Sequence, residues 1–96
     1  MITGRTSQGF DFIVDPRILK EWKFVKAIKR SESSDDGQRL LGMVDLITML
    51  LGEEQEEKLT EFIVERNDGF ASVDNMYAAV VEILTICKEK NEEAKK

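Results

Sequence analysis

The stretch Leu50-Leu51-Gly52-Glu53-Glu54-Gln55-Glu56-Glu57-Lys58-Leu59 decides how this chain is read, because it marks where one apolar helix stops and another starts. Upstream of it, Leu40, Leu41, Met43, Val44, Leu46, Ile47, Leu50 and Leu51 recur at helical spacing. They cover about 220° of a helix at 100° per residue, and Met49 widens the coverage. The pattern predicts a helix over 38–51. So broad an apolar face belongs to a central core element or to a helix that presents apolar surface to another chain. Gly52 reads as the left-handed glycine that caps it. Glu53, Glu54, Glu56 and Glu57 then crowd the positive end of a new helix, where carboxylates are favoured. The apolar stripe of that helix is narrow: Leu59, Phe62 and Ile63, with the stem of Arg66 as a candidate extension.

Working outward, Asn67-Asp68-Gly69 is a turn, and Ser72 is the N-cap of a further helix with Val73, Met76, Tyr77, Val80, Val81, Leu84 and Cys87 on one face. The charged tail 88–96 is expected to fray. On the other side, Ser31-Glu32-Ser33-Ser34-Asp35-Asp36-Gly37 reads as a mobile loop. Asp15-Pro16 starts a first helix, since Asp15 can accept from free N–H groups and proline suits the first helical position. That helix reaches about Arg30, with Ile18, Leu19, Trp22, Val25 and Ile28 on one face. Phe24 lies about 160° from Trp22, which makes it a candidate for a second contact. Residues 9–14 read as a short strand. Its expected partner is 1–6 through a hairpin around Ser7-Gln8-Gly9, or the same edge in another copy. The expected fold is mainly α: a short N-terminal β strand or hairpin followed by a compact four-helix domain. It is read as a single domain over 1–96, with 1–8 and 89–96 as candidate flexible ends.

Composition removes several classes of function. A net charge of −5 argues against an autonomous nucleic-acid binder, although Lys20, Lys23, Lys26, Lys29 and Arg30 form a local basic stripe. There is no histidine, which takes away the commonest general base and neutral metal ligand. A single cysteine allows no internal disulfide. Residues 1–10 have no basic-then-apolar signal pattern, and no apolar run reaches the roughly 18–20 residues that span a bilayer. Neither a membrane nor a cofactor is expected.

The chemical motifs dissolve on inspection. Residues 66–77 have a helix–Asp-Gly–helix outline, yet placing Gly69 at the sixth position of a calcium loop puts Val64 first, Arg66 third and Asn75 twelfth. Only Asp68 then offers a suitable oxygen. Glu53, Glu54, Glu56, Glu57 and Glu61 share one helix start, where a solvated face is the expected reading and a carboxylate metal site is not. Gly42-Met43-Val44-Asp45-Leu46 echoes an acyl-carrier helix but lacks the attachment serine. Cys87 has no histidine base and sits on an apolar stripe, as a structural thiol would. Trp22 reads as a core anchor, with an interface hot spot as the alternative. No catalytic or metal-binding residue emerges, and no enzyme is expected.

Taken in order, GFDFIVD, LKEWKF, a polar loop, DLITMLLGEEQEEKLTEF and NDGFASVDNMYAAVVEIL resemble the small tail assembly chaperones of long-tailed, siphovirus-type phages and prophages of Gram-positive bacteria. The features that carry the resemblance are Phe10 and Phe12; Glu21, Trp22 and Phe24; Leu50, Leu51, Gly52, Gln55 and Leu59; and Gly69, Val73 and Met76. It extends over about residues 9–91, with a departure at Phe70-Ala71-Ser72. The resemblance implies a non-catalytic protein that binds the helical, aggregation-prone tape-measure protein and helps recruit tail-tube subunits. It implies residence in the host cytoplasm and absence from the mature virion. A longer, frameshifted form is common in the family. Self-association into a homo-oligomer is also open. Trp22, Phe24, Leu46, Met49 and Leu50 are the expected partner-binding residues. A small phage-encoded adaptor or inhibitor of a host protein is the alternative reading.

Overall fold

The computed structural model describes the backbone of residues 1–95 and the side chains of residues 1–91. The chain opens on an antiparallel hairpin, β1 (Ile2–Arg5) and β2 (Asp11–Val14), with Ile2 opposite Val14 and Arg5 opposite Asp11. Gly9, at φ 103°, supplies the positive-φ residue that the expected Ser7-Gln8-Gly9 turn needs. The Thr6 hydroxyl accepts from the Phe10 N–H at 3.0 Å and closes the turn. β2 alternates as a half-buried strand must: Phe12 and Val14 point inward, Asp11 and Ile13 outward.

Asp15 caps the next segment and accepts from the Arg17 N–H at 3.0 Å. That segment, Pro16–Lys20, is only a 3-10 turn, and Glu21 returns to extended backbone at ψ 127°. The first α-helix, α1 (Trp22–Ser31), therefore starts afresh. This break corrects the expected face. A 100° count carried from Ile18 to Ile28 runs across Glu21 and loses its phase. Phe24, Ala27 and Ser31 are the buried positions, while Trp22 and Val25 face out.

α2 (Asp36–Arg66) follows after a connection of only four residues, 32–35. Ser31 and Gly37, expected in the loop, lie in helices. The Ser31 hydroxyl donates to the Ile28 carbonyl at 2.6 Å and sits 3.3 Å from the Tyr77 hydroxyl. Asp35 caps α2 by accepting from the Gln38 N–H at 2.9 Å. Gly52 interrupts α2 at φ 78° and ψ 161°, an extended positive-φ region that is essentially reserved for glycine. It bends the chain between two helical halves and does not serve as the expected left-handed helix cap. The count is thus three α-helices, the second kinked.

The turn at 67–69 carries Asp68 at φ 52° and Gly69 at φ 84°, and the Gly69 N–H donates to the Val64 carbonyl at 2.9 Å. α3 (Val73–Lys95) begins at Ser72, whose hydroxyl accepts from the Asn75 N–H at 3.0 Å. Its helical backbone continues through 89–95; Lys96 lies outside the described residues. Among the described side chains of α3, Val80, Ile83 and Cys87 are buried, whereas Val73 and Val81 are exposed. The expected face is rotated because β1 packs on α3: a Cβ on Gly4 would sit 3.4 Å from the Ile86 side chain.

One core unites these elements. Phe12 and Val14 meet Phe24 of α1, Leu46, Leu50, Leu59 and Ile63 of α2, and the buried face of α3. Two contacts fix the outline. At Gly42 the helices α1 and α2 approach so closely that a Cβ would lie 2.4 Å from the Ser31 backbone nitrogen. At Gln55 the side-chain amide accepts from the Ile13 N–H and donates to the Ile13 carbonyl, both at 2.8 Å. The same NH2 group donates to the Leu51 carbonyl at 2.7 Å. Gln55 thus occupies the outer edge of β2 as a neighbouring strand would.

Candidate partner-binding surface

The five expected partner-binding residues separate by depth. Phe24 is 0% exposed, and Leu46 and Leu50 are buried beside it in the core. In the closed fold these three side chains pack in the core, Phe24 with no accessible surface and Leu46 and Leu50 with 2% and 4%. Trp22 is 72% exposed. Met49 is half-buried at the rim of a hollow of about 290 Å³ between α1 and α2, lined also by Lys23, Lys26, Ala27, Arg30 and Asp45. Of the five, Trp22 and Met49 reach the surface; Met49 also lines, together with Leu50, a second hollow of about 370 Å³ bounded by Asp15, Arg17, Ile18 and Glu21, and Trp22 lines neither hollow.

Two exposed faces stand out among the described residues. The first is on α2, where Leu40, Leu41 and Val44 are 44, 56 and 48% exposed. At one and four residues apart they form a contiguous half-turn of apolar side chains on the helix. The breadth of the 38–51 apolar face follows from this arrangement. Met43, Leu46, Ile47, Leu50 and Leu51 turn inward, and the excess is left in solvent. Beyond Val44 the apolar strip ends at Thr48, whose hydroxyl donates to the Glu56 carboxylate at 3.1 Å.

The second face is on α1. Trp22 stands at its centre, with Lys26 about 40° to one side, Lys29 about 20° to the other, and Val25 beyond Lys29, at 100° per residue. Lys23 and Arg30 complete the solvent side, and no carboxylate of α1 interrupts it. Arg30 pairs with Asp45 at 2.9 Å across the helix junction. Within residues 17–31 six cations and one carboxylate, Glu21, sum to +5 in a chain of net −5, while Arg17 is paired with Asp15 and Arg30 with Asp45, which lie outside that span. The rest of the molecule therefore carries −10. Periodicity missed this arrangement because it placed Trp22 and Val25 in the core. The lysine spacing was the signal that could have found it.

The remaining features are structural in kind. Cys87 is fully buried, and burial pushes its thiol pKa up, against a smaller opposing pull from Lys90. A depression of about 380 Å³ beneath the hairpin turn contains Phe62, which packs edge-on to Phe10 at 5.4 Å and carries the Arg66 guanidinium 3.8 Å above its ring. Glu82 reaches the same turn and accepts from the Ser7 N–H at 2.8 Å. Among the described residues no helix is long and apolar enough to cross a membrane. No family model, curated protein or solved structure with which the chain was compared matches it.

Proposed function

We propose that this chain is a tail assembly chaperone of a long-tailed phage or prophage of Gram-positive bacteria. It holds the tape-measure protein in the host cytoplasm, assists addition of tail-tube subunits, and does so without catalysis. Two things support the reading. The order of sequence landmarks, from GFDFIVD to NDGFASVDNMYAAVVEIL, resembles that family. The exposed strip Leu40, Leu41 and Val44 carries the functional part, since it offers an amphipathic client helix an apolar seat on a rigid helix. Helix-in-groove docking of this kind is anchored by side chains spaced three and four residues apart.

The test is co-expression with the tape-measure protein of the same genome, followed by affinity capture and a solubility measurement. The reading expects the tape measure to stay in solution and to co-purify. Leu41→Asp with Val44→Asp should abolish capture and leave the far-ultraviolet helical signal intact, because both side chains are exposed. A tape measure that ignores the chain would sink the proposal. Selective capture of one host protein in its place would favour the adaptor alternative.

A further inference from the structure

We propose that the hollow beneath the hairpin turn captures the C-terminal residue of a partner protein, with its bulky apolar side chain on the floor and its terminal carboxylate on Arg66. The hollow shares no residue with the strip of Leu40, Leu41 and Val44, so the inference does not rest on the client which that strip seats. Three elements enclose it: the hairpin turn, the second half of α2 and the first half of α3. Its floor is apolar, made by Phe10, Leu59, Phe62, Ile63, Ala78 and Ala79. The contacts around it are structural, and their joint effect is to hold the space open. The Arg66 guanidinium is kept 3.8 Å above the Phe62 ring. The Asn67 amide donates to the Ile63 carbonyl at 3.2 Å. Glu82 is drawn to the turn, where its carboxylate accepts from the Ser7 N–H at 2.8 and 3.1 Å and from the Ser7 hydroxyl at 3.1 Å. Ala78 and Ala79 are too short to fill what these side chains leave. At about 380 Å³ the hollow lies toward the lower end of small-ligand pockets, about 300–1,000 Å³.

Charge selects the ligand. Arg66 and Glu82 are the charged side chains that line the hollow. Both oxygens of Glu82 are engaged by Ser7, whereas Arg66 is in no ion pair among the described side chains. The carboxylates beside its rim in sequence, Glu65, Asp68 and Asp74, do not line it. A guanidinium offers five N–H donors in a planar fork that matches a carboxylate. The ligand is therefore an anion with an apolar body. The mouth favours a chain terminus over a free organic acid, because the exposed amides of Gln8 and Asn75 can each donate and accept, as recognition of a peptide group requires. One terminal residue supplies apolar side chain, carboxylate and preceding peptide group at fixed spacing. Capture of a terminal carboxylate is a recurrent mode of peptide recognition.

N-acetyl-phenylalanine and N-acetyl-leucine, minimal models of such a terminus, are the probes for a nitrogen-15 NMR titration of the full chain. Saturable shifts are expected at the amides of Arg66, Asn75 and Ala79, with a Kd of about 1 mM for a ligand of this size. N-acetyl-phenylalaninamide, which lacks the charge, should bind at least about tenfold more weakly, because it forms no charge-assisted bond with Arg66. Arg66→Gln should cost the acid about tenfold and the amide nothing, with helicity unchanged. That selectivity separates direct contact with the carboxylate from a change in the shape of the hollow. Ala79→Leu, which fills the floor, should abolish binding of both. Absence of a saturable shift at about 20 mM of either acid overturns the proposal. So does equal affinity for acid and amide, or a loss on Arg66→Gln that is the same for both. Phenylpropanoate keeps the ring and the carboxylate without the peptide group and should bind more weakly than N-acetyl-phenylalanine. Equal binding would assign the hollow to a free organic acid and overturn the chain-terminus assignment.

Discussion

Replacing Gly42 by alanine should destabilise the chain, although alanine is the better helix former. The added Cβ would lie 2.4 Å from the Ser31 nitrogen, 2.6 Å from the Arg30 carbonyl carbon and 2.8 Å from the Arg30 Cβ. Two of these atoms are backbone, so no side chain can swing aside. The closest approach falls short of the roughly 3.5 Å optimum for carbon contacts by about 1 Å, and α1 must back away by a comparable amount. Overpacking of this kind costs about 1–3 kcal/mol or more. Alanine in a helix interior returns about 1 kcal/mol. Because two of the clashing atoms are backbone, the upper end of that range applies, and the expected net loss is about 2 kcal/mol, or about 8–16 °C in Tm for a domain of this size. Gly37→Ala is the control. It lies in the first turn of the same helix, and its Cβ would meet only the Asp35 carboxylate at 3.4 Å, an ordinary contact. It should be neutral or stabilising by up to about 1 kcal/mol. Thermal and urea unfolding followed by circular dichroism would measure both. A Gly42→Ala variant as stable as the wild type, or gaining as Gly37→Ala does, would refute the close-approach reasoning.

Phe24→Ala should cost about 3–5 kcal/mol and Trp22→Ala less than about 0.5 kcal/mol; equal losses in urea unfolding would restore the original helical face. Gln55→Leu removes both bonds to Ile13 and the one to Leu51, so a loss of about 1–2 kcal/mol is expected, together with a greater tendency to aggregate through the bared β2 edge. Unchanged unfolding and light scattering would show that water replaces the glutamine at no cost. Hydrogen bonds from the Arg17 side chain, then from its backbone N–H, hold the Asp15 carboxyl at about 2, below its ordinary 3.8. Because the folded value is depressed, the stabilisation is complete above about pH 3.8 and is lost as pH falls toward 2. Carbon-13 NMR titration should show this midpoint, and Arg17→Ala should move it upward; an unmoved midpoint would exclude the pairing.

Local signals in the sequence were legible, and those that depend on distant neighbours were not. The turn at Ser7-Gln8-Gly9, the caps at Asp15 and Ser72 and the turn at 67–69 are decided within a few residues, so residue type alone placed them. The phase of α1 was lost because one extended residue, Glu21, resets the helical count. The face of α3 turned because β1 packs on it at Ile86, a partner at the far end of the chain. Nothing local distinguishes Gly42, at a helix crossing, from Gly37, near a helix start. At the surface, the excess breadth of the 38–51 apolar face was visible, but which of its residues stay in solvent depends on where α1 and the hairpin pack. The lysine spacing of α1 was equally plain, whereas the exposure of Trp22 among those lysines required the break at Glu21.

Gln55 stands three residues beyond the kink at Gly52, and its single amide grips the sheet on one side of that kink and the Leu51 carbonyl on the other. Bend and seam are therefore one mechanical unit. A side chain at position 52 that forced the helix to straighten would swing residue 55 off the strand and open the seam between helix and β2 at the same stroke. Substitutions at these two positions should be strongly epistatic: once the glutamine is gone, the glycine has no seam left to protect, and its replacement should harm the fold less than it does in the intact chain.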